Sequence, residues 1–487
     1  MADNHGADPS KASNSPQDVN RTESSENEDS LREESLFDAR DSSPRYVQVL
    51  TWILSIVAIA ATVTSFSLIV SAAASPDDTE VGIITWSEAN LPPEPATVLS
   101  GVDDSALSPE LADVLEPIIS KQPGMTASFV DMTTGEPLYE KDAEKQQAPA
   151  SSLKLISAGV AIDKLGAGYR IPTTVVAGGT DDSIVLVGGG DVTLSKDGDG
   201  YYSDSGSLKD LADQVLDARG GDSPETVIVD DSAFGGSTQA PGTESGDFSH
   251  YTANMGSLMI DGGRTEMALY GARQDDPVES AAEEFATMVG ASKVKAGQAP
   301  QDSDQLGQVH SPTVYDMSEY LVRMSDNTLA DALAMQVALQ EKGEMNWENV
   351  GEVFTEYLDE LGVSTDGTDF KDGSGLSQDN RISAGIFTDF LHSQTEGERN
   401  RLLFPTMAVA GVNGSLADRF DDEEDAHGQV RGKTGTLRMV SSLTGTLVTE
   451  DGRLIAYSMI VNGYGFNRSV ATSVMDEATA AAAACGC

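Results

Sequence analysis

Pro149-Ala150-Ser151-Ser152-Leu153-Lys154-Leu155-Ile156-Ser157-Ala158-Gly159-Val160-Ala161-Ile162 runs from a loop into an apolar helix. Ser151 and Lys154 are three residues apart, so on a helix they share a face. A serine hydroxyl is a poor nucleophile until a base takes its proton. A lysine can be that base once burial and neighbouring positive charge lower its pKa. A helix start also sets backbone N–H groups around a developing oxyanion. Ser152 is a competing hydroxyl, but only Ser151 has a lysine at the required spacing. An ordinary capped helix with one snorkelling lysine has the same letters, so this segment gains its meaning only in company with others.

Two further motifs lie downstream. Ser325-Asp326-Asn327 lies between two amphipathic stretches, Val314 to Met324 and Leu329 to Val337. A polar corner between helices can aim a hydroxyl and a carboxamide into a cleft. Ser325 would relay a proton between the lysine and a leaving amine, and Asn327 would hold a substrate amide. The same triplet also suits a helix C-cap followed by an N-cap. Gln429-Val430-Arg431-Gly432-Lys433-Thr434-Gly435-Thr436-Leu437 reads as an edge strand. Gly435 would let a ligand backbone come close. Lys433, Thr434 and Thr436 supply a cation and two hydroxyls, a set suited to a carboxylate. An edge strand guarded by a solvated lysine looks alike. Each motif alone fits ordinary structure; the three in this order describe a serine acyl-enzyme hydrolase of the penicillin-recognising kind.

The flanks outline a fold. Thr126 to Met132 alternates like a strand, Thr133-Thr134-Gly135-Glu136 turns it, and Pro137 to Glu140 returns as its pair. Near the other end Ser442 to Thr449 is a second strand, turned at Glu450-Asp451-Gly452 and paired with Arg453 to Val461. A helix from about Ser469 to Ala484 closes the chain. Strands from both ends with helices between predict one antiparallel sheet built from distant segments. The stretch 171–307 is rich in Gly, Asp and Ser, with short strands such as Ser183 to Val187 and Thr226 to Val229. It predicts a smaller inserted domain between parts of a catalytic domain at 108–170 and 308–487, with Pro300 to Asp304 as a return linker.

The 487 residues carry 79 acidic and 30 basic side chains, a formal charge of -49, which repels nucleic acid and anionic lipid heads. Residues 1–45, rich in Ser, Asp, Glu and Asn, predict a disordered cytoplasmic tail. Val47 to Ser71 carries no charge and is long enough to cross a bilayer as a helix. Arg40 and Arg45 precede it, so a single-pass anchor at 46–72 would leave the tail inside and the rest on the cell-wall side. Ala72-Ala73-Ala74 offers an alternative cleavage site. Residues 73–107 read as a linker, stiffened at Leu91-Pro92-Pro93-Glu94-Pro95, before a helix capped at Ser108-Pro109-Glu110. Five unclustered histidines give no metal-peptidase pattern, and neither a metal nor a cofactor is expected. The two cysteines, Cys485 and Cys487, leave a free thiol or an intermolecular link open.

In these motifs the chain resembles the exported D-alanyl-D-alanine carboxypeptidases/endopeptidases of the class C low-molecular-mass penicillin-binding proteins. Leu186 to Leu194 resembles that family's LVGGGDPTL segment, with Val192 in place of the proline. Val229 to Phe234, Lys371 to Ser377 and Ala410 to Leu416 are similar to its inserted-domain strand, its DGSGLS loop and its AGxDGTL stretch. The gap between Lys154 and Ser325 is shorter than in the longest members, so one inserted domain is expected where those have two. The resemblance implies an α/β (α+β) transpeptidase-like fold, with helices on a mainly antiparallel sheet. It implies that Ser151 attacks the penultimate D-Ala carbonyl of a peptidoglycan stem peptide ending D-Ala-D-Ala, that water then releases the acyl group, and that β-lactams acylate the same serine. Cross-link endopeptidase activity is the alternative. A β-lactamase is disfavoured because no deacylating glutamate stands out, and a non-catalytic wall-binding protein because the motif residues are intact.

Overall fold

Alternation along one central strand sets the main sheet. In the computed structural model, which describes residues 111–486 apart from 244–247, 249, 396–399, 421–422, 424–425 and 464–466, Leu454–Asn462 forms a strand buried on both faces. Its Ile455, Tyr457, Met459 and Val461 enter one core, while Ala456 and Ile460 enter another. This is the period of two that a covered strand imposes. Main-sheet strands are β1 (Thr126–Asp131), β2 (Pro137–Lys141), β10 (Ala408–Val409), β11 (Val430–Leu437), β12 (Val440–Val448) and β13 (Leu454–Asn462). They lie in the order β10-β11-β12-β13-β1-β2, and every neighbouring pair is antiparallel. Segments more than 300 residues apart thus meet in one sheet, Thr126 opposite Ile460, as expected from the sequence.

Helices cover both faces. α1 (Leu111–Ile119) and α9 (Arg468–Ala483) pack together with Phe129, Tyr139 and Tyr457 on one side. On the other lie α2 (Lys154–Leu165), α5 (Val314–Met324), α6 (Asn327–Lys342), α7 (Trp347–Glu360) and α8 (Ala384–Ser393). Full burial of each Leu, Ile or Phe there contributes about 1.5–3 kcal/mol. Ser128 of β1 meets Thr388 of α8 at 2.8 Å, so these polar positions on the covered face are also satisfied.

A second sheet has its own core. β3 (Pro172–Ala177), β4 (Ser183–Val187), β6 (Thr226–Asp230), β8 (Lys293–Ala296) and β9 (Gln305–His310) lie in the order β8-β6-β4-β3-β9. The β4–β6 and β6–β8 pairs are parallel, and helices α3 (Leu208–Ala218) and α4 (Pro277–Val289) pack on them through Leu211, Val215, Phe285 and Val289. A small parallel pair, β5 (Asp191–Leu194) and β7 (Leu258–Ile260), sits beside it.

The expected tail, anchor, linker and Ser108-Pro109-Glu110 cap lie outside the described residues. Among the described residues no helix is long and apolar enough to cross a membrane. Cys485 is buried and disulfide-bonded, which removes the free-thiol alternative for it.

Candidate active site

The segment before α2 does not begin as a regular helix. Ala150–Leu153 is a tight 3-10 turn that runs directly into α2 at Lys154. Ala150 holds a left-handed φ of 50°, a conformation costing on the order of 1–3 kcal/mol that persists only when its surroundings impose it. The turn is clamped from two sides. Ser442 of β12 donates to the Pro149 carbonyl at 2.6 Å and meets the buried Ser152 hydroxyl at 2.9 Å. From the other side Gly375 crosses so closely that a Cβ there would lie 1.9 Å from the Ala150 carbonyl oxygen. Ser151, half-buried, is left with its hydroxyl toward Lys154. Ser152 is fully buried and engaged elsewhere, so the competition between the two hydroxyls is resolved geometrically.

Lys154 is completely buried, yet its Nζ has three partners. It lies 3.0 Å from Ser151 Oγ, 2.7 Å from Asn327 Oδ1 and 2.5 Å from the Ser374 carbonyl. Two of these partners only accept. A neutral amine has two N–H groups and one lone pair, so it can donate to Asn327 and Ser374 and accept from Ser151. Burial pushes the Lys154 amine down to about 8, against the opposing pull of Asp331, Asp372 and Asp326. Of the two causes expected from the sequence, burial and a neighbouring positive charge, the first is the one at work. Burial first, and then Lys154, also hold the Lys433 ammonium well below its usual range.

Two carboxylates that sequence reasoning missed build this pocket. Asp331 Oδ1 accepts from the Gly373 and Ser374 N–H groups at 3.0 and 2.9 Å. Asp372 accepts from Gly375 N, Ser377 N and Asn380 Nδ2 at 2.7–2.9 Å. Together they fold the 371–377 loop so that its Ser374 carbonyl reaches Lys154. Burial and then Asp372 raise Asp331 well above the usual carboxylate range. The available signal was a lone acid in the apolar run Leu329-Ala330-Asp331-Ala332-Leu333, which a helix buries only when that acid has partners.

The second motif is both a cap and a site element. Ser325 ends α5 with φ 64°, and Asp326 caps α6 by accepting from Leu329 N at 3.0 Å. Asn327, the first residue of α6, then reaches Lys154 and donates from Nδ2 to the Tyr251 carbonyl at 2.9 Å. Ser325 is half-buried and is not among the Lys154 partners.

The third motif departs from expectation twice. β11 is not a bare edge, because Ala408 and Val409 pair with Gly432 and Arg431; among the described residues no strand pairs with Lys433 to Leu437 on that side. Gly435 is required by packing. A Cβ there would meet Ser442 Oγ at 2.1 Å, Pro149 O at 2.8 Å and Ala150 Cβ at 3.0 Å, so the glycine lets the strand pack against the serine turn. Lys433 shares that face and its Nζ donates to Thr434 O at 2.8 Å. Thr434 lies on the opposite face, bonded to Ser415 at 2.9 Å, and Thr436 is exposed. A ligand touching both faces must therefore lie along the open edge.

A helix-covered antiparallel sheet with this serine–lysine pair at its face is a penicillin-binding-protein architecture. The chain matches the crystal structure of penicillin binding protein 4 (dacB) from Haemophilus influenzae with a TM-score of 0.63 at 18% identity, over 75% of this chain and 97% of that one. The same protein complexed with a β-lactam matches at 0.60, with the same identity and coverage. The chain belongs to the D-Ala-D-Ala carboxypeptidase 3 (S13) family, whose pattern matches residues 108–289 and 272–484. A carboxypeptidase of Mycobacterium tuberculosis is 31% identical over 418 residues, covering 81% of this chain and 90% of the relative. Carboxypeptidase DacB of Mycolicibacterium smegmatis is 32% identical over 419 residues, with the same two shares.

Proposed function

We propose that this protein is a serine-type D-Ala-D-Ala carboxypeptidase that trims peptidoglycan stem peptides through an acyl-enzyme and is acylated by β-lactams. The observation that carries it is the dry Lys154 amine, held by two carbonyl oxygens and 3.0 Å from Ser151 Oγ. Lys154 takes the Ser151 proton as Oγ attacks the penultimate D-Ala carbonyl carbon. The C–N bond of the tetrahedral intermediate then breaks, and the departing D-Ala nitrogen receives a proton, which we assign to relay through Ser325. Water hydrolyses the ester, returning the hydroxyl proton to Ser151 and releasing the shortened peptide as its acid. Asn327 holds the acyl-donor amide. Lys433, Thr434 and Thr436 hold the terminal carboxylate at the open edge of β11, where an anion also favours the charged form of the buried Lys433.

The wild type is expected to release D-Ala from a pentapeptide ending D-Ala-D-Ala, with a C-terminal amide turned over at least tenfold more slowly. Thr436→Val should lower kcat/KM for the acid about tenfold and for the amide much less, since it removes a donor to the carboxylate. Equal turnover of acid and amide would instead mark a cross-link endopeptidase, whose substrate offers backbone and no chain end.

For location, the uncharged run from Val47 to Ser71 and the arginines before it support a single-pass anchor with residues 76–487 on the wall side. Protease added to protoplasts should remove the C-terminal part and spare an N-terminal tag. A soluble form beginning near Ser75 would show cleavage after Ala72-Ala73-Ala74.

A further inference from the structure

Beside the Ser325–Asn327 turn lies a dry cluster that the proposed reaction does not use. Arg264 and Asp326 form an ion pair at 2.6 Å, with both side chains completely inaccessible to solvent. Each guanidinium nitrogen is engaged. The Nη1 of Arg264 donates to Tyr202 OH at 2.8 Å and to the Asp261 carbonyl at 3.0 Å, its Nε donates to the Ala268 carbonyl at 3.1 Å, and its Cζ lies over the Tyr201 ring, 3.8 Å from the centroid. Tyr202 OH in turn donates to Asp326 Oδ2 at 3.1 Å. Asp326 needs only Oδ1 to cap α6; its second oxygen binds Arg264 and Tyr202. A dry ion pair adds little net stability, because desolvating both charges offsets their attraction. What this one does is fix a carboxylate between Ser325, held left-handed, and Asn327, bonded to Lys154. Both clamping residues come from the stretch between the first two motifs.

We propose that Arg264 and Tyr202 are positioning residues for acylation, acting through Asp326 to place Ser325 and Asn327. This rests on the carboxypeptidase reading. Removing Arg264 alone strands a buried carboxylate and endangers the fold. The test is therefore the double variant Arg264→Met with Asp326→Asn, in which asparagine keeps the N-cap acceptor and no charge is left unpaired. The measurement is stopped-flow acylation by a fluorescent penicillin, separating the binding constant from the acylation rate, alongside a thermal melt. A wild type that is never acylated would remove the carboxypeptidase reading itself. With the wild type active, the double variant should melt near the wild type, bind with a similar constant and acylate at least tenfold more slowly. A folded double variant acylating within twofold of the wild type overturns the proposal and leaves the cluster a structural one. Should the double variant fail to fold, Tyr202→Phe decides alone, because it keeps the ion pair and deletes only the two phenol bonds, the one accepted from Arg264 and the one donated to Asp326. It should slow the acylation rate about fivefold at unchanged binding, and an unchanged rate overturns the proposal.

Discussion

Ser151→Ala should abolish covalent labelling by penicillin, with peptide hydrolysis falling by about 10⁴-fold or more, the scale of losing a nucleophile. Deleting the Oγ removes the atom that forms the ester, and no neighbouring hydroxyl can replace it. Ser152 is the only sequence neighbour of the right chemistry, but it is fully buried and bonded to Ser442. The fold should survive. Ser151 is half-buried and its hydroxyl has one side-chain bond, to Lys154, so the variant loses about 1 kcal/mol. In a domain of this size that lowers the melting midpoint by only a few degrees. Intact-mass spectrometry after incubation with penicillin checks the outcome. A stoichiometric adduct on the variant, or an adduct mapped to Ser152 in the wild type, would show that the nucleophile has been misassigned.

What sequence alone conveys here depends on how local each signal is. The hairpins at Thr126 to Glu140 and Ser442 to Val461 are legible because alternation and turn residues lie within a few positions of each other. The strand bounds accordingly differ from the observed Thr126–Asp131, Val440–Val448 and Leu454–Asn462 by two residues or fewer. The bonds from Lys154 to Ser151 and Asn327 join residues of the first and second motifs, whose order made their meeting foreseeable. The packing role of Gly435 was not legible because its neighbours, Pro149 and Ser442, come from other elements. Asp331, Asp372 and Arg264 were missed for a related reason: a buried acid or arginine is explained by the partners that folding brings to it. Asp331 reaches 42 and 43 residues along the chain for its N–H donors, and Arg264 reaches 62 to Asp326. The parallel pairing of β4, β6 and β8 was likewise invisible, since strand order is a property of the packed sheet.

Lys154→Arg tests the base directly. Arginine keeps the positive charge and the donors but does not surrender its proton at any working pH. If Lys154 accepts the Ser151 proton, the variant should acylate about 10²–10⁴-fold more slowly, the range that general-base catalysis supplies. Guanidinium is bulkier than ammonium in a pocket with no solvent access, so Lys154→Met, which leaves no charge to bury, is the companion variant; it should lose as much. The pH profile gives an independent check on the wild type. Burial lowers the Lys154 amine to about 8. The competent form is the neutral amine, so the second-order acylation constant should be low at pH 6, rise through about pH 8 and flatten above it. The sign comes from the lowered pKa: a lysine at its ordinary value, about 10.4, would place the rise roughly two pH units higher. An arginine variant acylating near the wild-type rate would take the base role away from Lys154. So would a wild-type profile already flat from pH 6 upward whose level the methionine variant leaves unchanged, because the amine would then be a spectator held beside Ser151 by its two carbonyl partners.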